Sequence, residues 1–184
     1  MGRIENKHVR NIVEWLLAIA MAFLVFFVLR TYVVRVAQVT GTSMLPTLEH
    51  GDMLLLNRFS YIFSSPRVGD IVAFPPYEDD PGRFYIKRIV AGPGDIVEFR
   101  NNAFYVNGER LADDFSRDAV VNGGTLAAIE GGLEIEYGQF FVLGDHRNGS
   151  RDSRFVDVGT VPAEKMVGRV VLRIWPLGTF GTVD

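Results

Sequence analysis

Hydrophobic and polar positions divide the chain into two stretches of different period. From Trp15 to Leu29 it reads WLLAIAMAFLVFFVL, without one polar side chain. Extended to Ile12–Val34, the run reaches about 35 Å as a helix, enough to cross a hydrocarbon core of about 30 Å. Trp15 and Tyr32 fit an interfacial aromatic belt, and Arg30 has the reach to snorkel to lipid headgroups. These features predict a transmembrane anchor over residues 12–34. Arg3, Lys7 and Arg10, set against Glu5, put residues 1–11 in the cytoplasm and residues 35–184 on the outer face. A cleavable signal peptide competes with this reading, because its apolar region of about 7–15 residues overlaps the same run. It also requires small residues just beyond that region. Ala37 is available, but Arg35 stands two residues earlier, where a small side chain is wanted.

Beyond the anchor the pattern turns from helical to extended. Short apolar runs recur at 53–56 (MLLL), 70–74, 83–91, 95–99, 139–143 and 166–175; beyond the first, Val, Ile, Phe and Tyr dominate them, and turn residues bound them. Gly-Asp pairs at 51–52, 69–70, 94–95 and 144–145 punctuate them at irregular spacing, as turns rather than as a repeat. FYVNGERL at 104–111 reads as a hairpin, because Asn107-Gly108 supplies the positive φ angles of a type I′ turn. Residues 112–138 carry Asn122, Gly123, Gly124, Gly131 and Gly132 with little periodicity, and read as an irregular hairpin or insertion. The expected fold is mostly β: a coiled, barrel-like antiparallel domain over residues 35–184, hung from one N-terminal transmembrane helix.

Composition narrows the chemistry. A length of 184 residues suits a short anchor plus one domain of roughly 150 residues. The net charge of −3 gives no footprint for nucleic acid. Cysteine is absent, which excludes disulfides, a thiol nucleophile and a cysteine-based zinc site. The histidines are His8, His50 and His146; the latter two, isolated and on the far side of the anchor, make a poor metal set. No cofactor or metal is expected.

Three segments carry candidate chemistry. In GTSMLPTLEHGD (41–52), Ser43 precedes Pro46, whose fixed φ stiffens the backbone behind a potential nucleophile. By itself it also reads as a turn or capping serine. Met44 and Leu45 either dip into lipid or pack. In FYIKRIVAGPGD (84–95), a lysine sits inside an apolar strand, where burying a cation is costly. Lys87 and Arg88 point to opposite faces, so periodicity does not choose between them. Chemistry does: arginine stays protonated, whereas lysine shifts its pKa readily and becomes a base when desolvated. The alternative is a snorkelling lysine on an edge strand. In LGDHRNGSRDSRFVDVG (143–159), a locally extended chain puts Ser150, Asp152 and Arg154 on one side. Ser150 is then placed to hydrogen-bond the Lys87 amine while Asp152 and Arg154 brace each other. A charged surface loop is the plainer reading. A Ser-His-Asp system built on His146 and Asp145, or on His50, is the remaining possibility, and its geometry is not readable from sequence.

Taken together, these segments resemble the signature boxes of bacterial type I signal peptidases, the Ser-Lys peptidases of the secretion pathway. Gly41 to Leu48 matches G-x-S-M-x-P-T-L. RVGDIVAF (67–74) is similar to the family's structural strand box, YIKRIVAGPGD (85–95) to its lysine box, and GDHRNGSRDSR (144–154) to its last box, usually G-D-N-R-x-x-S-x-D-S-R. The boxes come in the family's order behind the anchor and span most of residues 12–175. The resemblance implies an all-β domain on the outer membrane face, with Ser43 as nucleophile and Lys87 as general base. It further implies that Ser150 orients Lys87 and that Asp152 and Arg154 form a structural pair. Two positions depart from the pattern. His146 stands where the family usually has Asn and receives no role. Gly41 stands where some members carry a hydroxyl that helps form the oxyanion hole, as in the glycine-bearing branch; the Ser43 backbone N–H remains as a donor and a second is unassigned.

The implied activity is removal of signal peptides from exported preproteins with small residues, typically alanine, at positions −1 and −3, through an acyl-enzyme at the bilayer surface. Two alternatives stay open: a dedicated precursor peptidase of pilin or conjugation type, and a non-catalytic anchored β domain that binds exported chains.

Overall fold

The computed structural model describes residues 7–28, 34–75, 84–112 and 122–183. Helix α1 (Lys7–Val28) is the apolar run, and its segment Val9–Phe27 is long and apolar enough to cross a membrane. None of that segment is buried among the described residues. Such a helix presents a broad apolar surface that the described β strands do not cover. Relative to the expected anchor, the helix begins before Ile12. Residues 29–33 lie outside the described residues, and Val34 already belongs to a strand.

The remainder is β-rich, with antiparallel pairing throughout. In chain order the elements are β1 (Val34–Gln38), β2 (Met53–Asn57), the one-turn helix α2 (Ser60–Phe63), β3 (Ile71–Phe74) and β4 (Tyr85–Ala91). Then come β5 (Ile96–Arg100), β6 (Ala103–Val106), β7 (Glu109–Arg110) and β8 (Leu133–Glu134). Last are β9 (Gln139–Leu143), β10 (Val161–Pro162), β11 (Gly168–Trp175) and β12 (Gly181–Thr182). One curled sheet has the order β1-β2-β11-β3-β4-β9-β10, with β12 added beside β11; a smaller sheet has the order β7-β6-β5-β8. The expected β domain behind one apolar helix is what forms. Of the stretch read as irregular, residues 113–121 lie outside the described residues; the rest holds a 3-10 turn (Gly124–Ala128) and β8, which extends the small sheet beside β5.

Three of the Gly-Asp pairs work by one local device. The Asp52, Asp70 and Asp95 carboxylates each accept the backbone N–H three residues earlier, at 3.0, 3.0 and 2.8 Å. The preceding glycine takes φ of +96°, +94° and +84° in turn, a conformation that a Cβ disfavours. Each turn therefore closes on itself and delivers the chain into β2, β3 or β5. Asn107 and Gly108, at φ +54° and +79°, make the expected hairpin turn between β6 and β7.

The fourth pair behaves differently. Asp145 is 1% exposed, and its carboxylate accepts Arg88 Nε and Nη2 at 3.0 and 2.9 Å and Thr47 Oγ1 at 2.6 Å. Arg88, on β4, is itself 2% exposed and also donates to Gly69 O. This buried fork ties the end of β9 to β4 and to the turn that holds Ser43. Asp145→Ala leaves the guanidinium buried without its carboxylate, and chemical denaturation of the full chain in detergent should show a loss of about 3–5 kcal/mol.

Candidate active site

Ser43 sits in a tight turn between β1 and β2. Leu45 N–H donates to Thr42 O, and Leu48 N–H to Met44 O. Met44 and Leu48 drop into the core formed by Leu54, Leu56, Ile71, Ile86 and Val170, which seats the turn on the large sheet. Of the two options for Met44, packing is therefore the one realised. The Leu45–Pro46 bond is cis. Ser43 is left half-buried at the mouth of a cleft of about 140 Å³, lined by Val39, Thr40, Phe84, Tyr85, Ile86 and Lys87.

Lys87 lies mid-strand on β4, paired with Val72 of β3, and only 3% of it is exposed. Its Nζ donates to Ser43 Oγ at 2.7 Å and to Ile86 O at 3.0 Å. Neither acceptor is a carboxylate. Burial pushes the ammonium down from its ordinary 10.5 to about 8, against the opposing pull of Asp152 and Asp145 and with help from Arg154. The two cations of β4 thus meet opposite fates. Arg88 is given a buried carboxylate and stays charged; Lys87 is given a hydroxyl and a carbonyl and is poised near neutrality.

The segment after β9 encloses the site from behind. Asp152 and Arg154 pair at 2.6 and 2.9 Å with almost no exposure. Arg154 also donates to the carbonyls of Asn122, Arg147 and Ser150, and Asp152 accepts Gly144 N–H at 3.0 Å. Ser150 is buried, and its Oγ has no hydrogen-bond partner among the described residues. It lies beside Ser43: a Cβ built on Gly144 would land on both Ser150 Oγ and Ser43 O. The hydrogen bonds of Lys87 go to Ser43 and Ile86, not to Ser150.

Gly41 has φ +101°, open space where a Cβ would stand, and an N–H that donates to His50 Nδ1 at 3.1 Å. A side chain at this position would fit sterically but would strain the backbone. The buried Arg88–Asp145–Thr47 cluster escaped the sequence reading, since Lys87 and Arg88 are equivalent by periodicity and Asp145 looks like the other turn aspartates. Among the described residues no cluster of His, Asp and Glu could hold a metal ion.

A buried lysine on a serine hydroxyl, set in a cleft at a sheet, is an arrangement found in peptidases that work without histidine. Comparison with known proteins supports a peptidase. Residues 12–175 match the family described as signal peptidase, peptidase S26. The chain is 31% identical over 188 residues to signal peptidase IB of Staphylococcus aureus (strain COL), covering 93% of each. It is 35% identical over 177 residues to a probable signal peptidase I-1 of Synechocystis sp., covering 93% of this chain and 84% of that one. A crystal structure of a signal peptidase I from Enterococcus faecalis V583 matches at 32% identity and a TM-score of 0.46, covering 58% of this chain and 97% of the other. The chain belongs to the signal peptidase (S26) family of peptidases.

The perturbed lysine has a consequence for stability. Unfolded, Lys87 holds its proton to about 10.5; folded, to about 8. Between these values the unfolded chain binds more protons, so stability rises with pH. The rise should total roughly 3 kcal/mol across the window. It should be missing from Lys87→Met, as read by the difference between the two unfolding curves measured from about pH 7 to about pH 11.

Proposed function

We propose that this peptidase is a membrane-anchored serine endopeptidase that removes signal peptides from exported preproteins, with Ser43 as nucleophile and Lys87 as general base. The observation that carries the reading is the 2.7 Å contact between Lys87 Nζ and Ser43 Oγ at a lysine that burial holds near pH 8. At that value roughly a tenth of the enzyme carries a neutral amine at pH 7, against about one molecule in a few thousand for a free lysine.

The neutral amine takes the Ser43 proton as Oγ attacks the scissile carbonyl. The tetrahedral intermediate collapses, the C–N bond breaks, and the Lys87 ammonium returns the proton to the leaving amine. Lys87 then takes a proton from water, whose oxygen attacks the ester; the ester C–O bond breaks and the Lys87 ammonium returns that proton to Ser43 Oγ. Ser43 N–H is the oxyanion donor we assign; Gly41 brings no side-chain donor. Ser150, whose buried hydroxyl has no other partner among the described residues, receives the Lys87 amine when it leaves Ser43 Oγ. Asp152 and Arg154 hold Ser150 and Gly144 in place from behind.

The size and apolar lining of the cleft favour substrates with small residues at −1 and −3. A substrate bound in extended form aligns its backbone along the strand that carries Lys87. The uncovered apolar helix α1 anchors the enzyme in the bilayer, with residues 1–11 in the cytoplasm and the β domain, residues 35–184, on the outer face. Enzyme and signal segment then share one surface, which raises their effective concentration.

Purified full-length protein in detergent should release the mature product from a preprotein carrying Ala at −1 and −3. Ser43→Ala and Lys87→Ala should each abolish release while leaving the protein folded; product from either variant sinks the dyad. For the wild type, kcat/KM should climb about tenfold per pH unit below the Lys87 pKa and level off above it, because the neutral amine is the active form. A profile flat from pH 5 to 9 would count against Lys87 as the base.

A further inference from the structure

The nucleophile's turn is gripped from across the domain by the residues that follow β9. Thr47 Oγ1 donates to Asp145 Oδ2, and the backbone N–H of His146 donates to Ser43 O at 3.1 Å. The His146 ring adds a third tie, with Nδ1 at 3.2 Å from Thr42 O. A carbonyl oxygen only accepts, so Nδ1 carries the proton in this contact. The neighbouring Asp145 carboxylate does not compete for it, being occupied by Arg88 and Thr47. Gly149 makes room for the ring: a Cβ there would land on Nδ1 and Cε1. One residue therefore holds two successive carbonyls, those of Thr42 and Ser43.

We propose that His146 is a positioning residue for Ser43, its ring Nδ1–H and backbone N–H together fixing the Thr42–Ser43 backbone so that Oγ stays within reach of Lys87. The inference rests on the reading of Ser43 and Lys87 as the reacting pair. The ring transfers no proton. Its part is to donate Nδ1–H to the Thr42 carbonyl. An asparagine at this position, the residue the family usually has there, offers an amide donor of similar reach and should serve the same carbonyl.

The test compares preprotein cleavage and thermal melting for wild type, His146→Ala and His146→Asn of the full-length protein in detergent. Loss of the ring donor should lower kcat of the Ala variant about 10- to 100-fold with KM changed less than about threefold. The Asn variant should recover kcat to within about threefold of wild type and keep the midpoint of the acid limb of the pH profile. If the Ala variant melts below the assay temperature, His146→Leu, which keeps bulk against Gly149 without a donor, is read in its place. Any of four results overturns the proposal: Ala within about twofold of wild type, Asn as slow as Ala, an acid limb that moves in the Asn variant, or failure of both Ala and Leu to fold. Ser43→Ala separates the two levels. If it still cleaves, the dyad reading fails; if it is inactive while His146→Ala is unaffected, only the positioning role fails.

Discussion

Taking the Lys87 ammonium out of water is the constraint around which this domain is organised. A cation buried without a carboxylate is costly, and the cost disappears when the proton leaves. Several neighbours contribute to that imbalance. β3 and β9 flank β4 on both sides, so the lysine's strand is covered along its length. Met44 and Leu48 pull the serine turn down onto the same sheet. The hydrogen bonds of the ammonium are spent on a hydroxyl and a main-chain carbonyl. The acids that would hold the proton, Asp145 and Asp152, are each engaged by an arginine of their own.

Those arginine pairs are the reason the site can be assembled from distant parts of the chain. Arg88 and Asp145 are 57 residues apart, and their fork also captures Thr47 of the serine turn. Arg154 gathers the carbonyls of Asn122, Arg147 and Ser150 around Asp152, which in turn fixes Gly144. Buried pairs of this kind add little net stability over apolar packing, yet breaking one is expensive. Their effect here is geometric: they determine how closely the segment after β9 presses on Ser43, down to the lack of space for a methyl group at Gly144.

Much of this was legible in the sequence, and for physical reasons. The strands β3, β4, β5, β9 and β11 are rich in β-branched or aromatic residues and β2 is a Met-Leu run; β2, β3 and β5 are launched by Gly-Asp turns that are closed by their own aspartates. The Asn107-Gly108 hairpin follows from backbone sterics alone. What stayed hidden depends on neighbours rather than on local pattern. β1 merges into the apolar composition of the anchor. β8, β10 and β12 are two-residue pairings that exist only because a partner strand lies alongside. The turn between β5 and β6 uses Asn101 and Asn102 at positive φ, a weaker signal than Asn-Gly. At the site, Ser43 and Lys87 were legible through the order of their segments. Asp145, by contrast, looks like any other turn aspartate until Arg88 is seen behind it, and His146 acquires a contact only once the serine turn is folded against it.

The central claim is that the fold makes Lys87 a base next to Ser43, and the most direct test is the titration of Lys87 itself. Carbon-13 labelling of lysine Cε in the full-length protein in micelles, with Lys87 assigned by its loss in Lys87→Met, follows this one amine by NMR. The account predicts a midpoint of about 8. A midpoint near 10.5, the ordinary value, would contradict it.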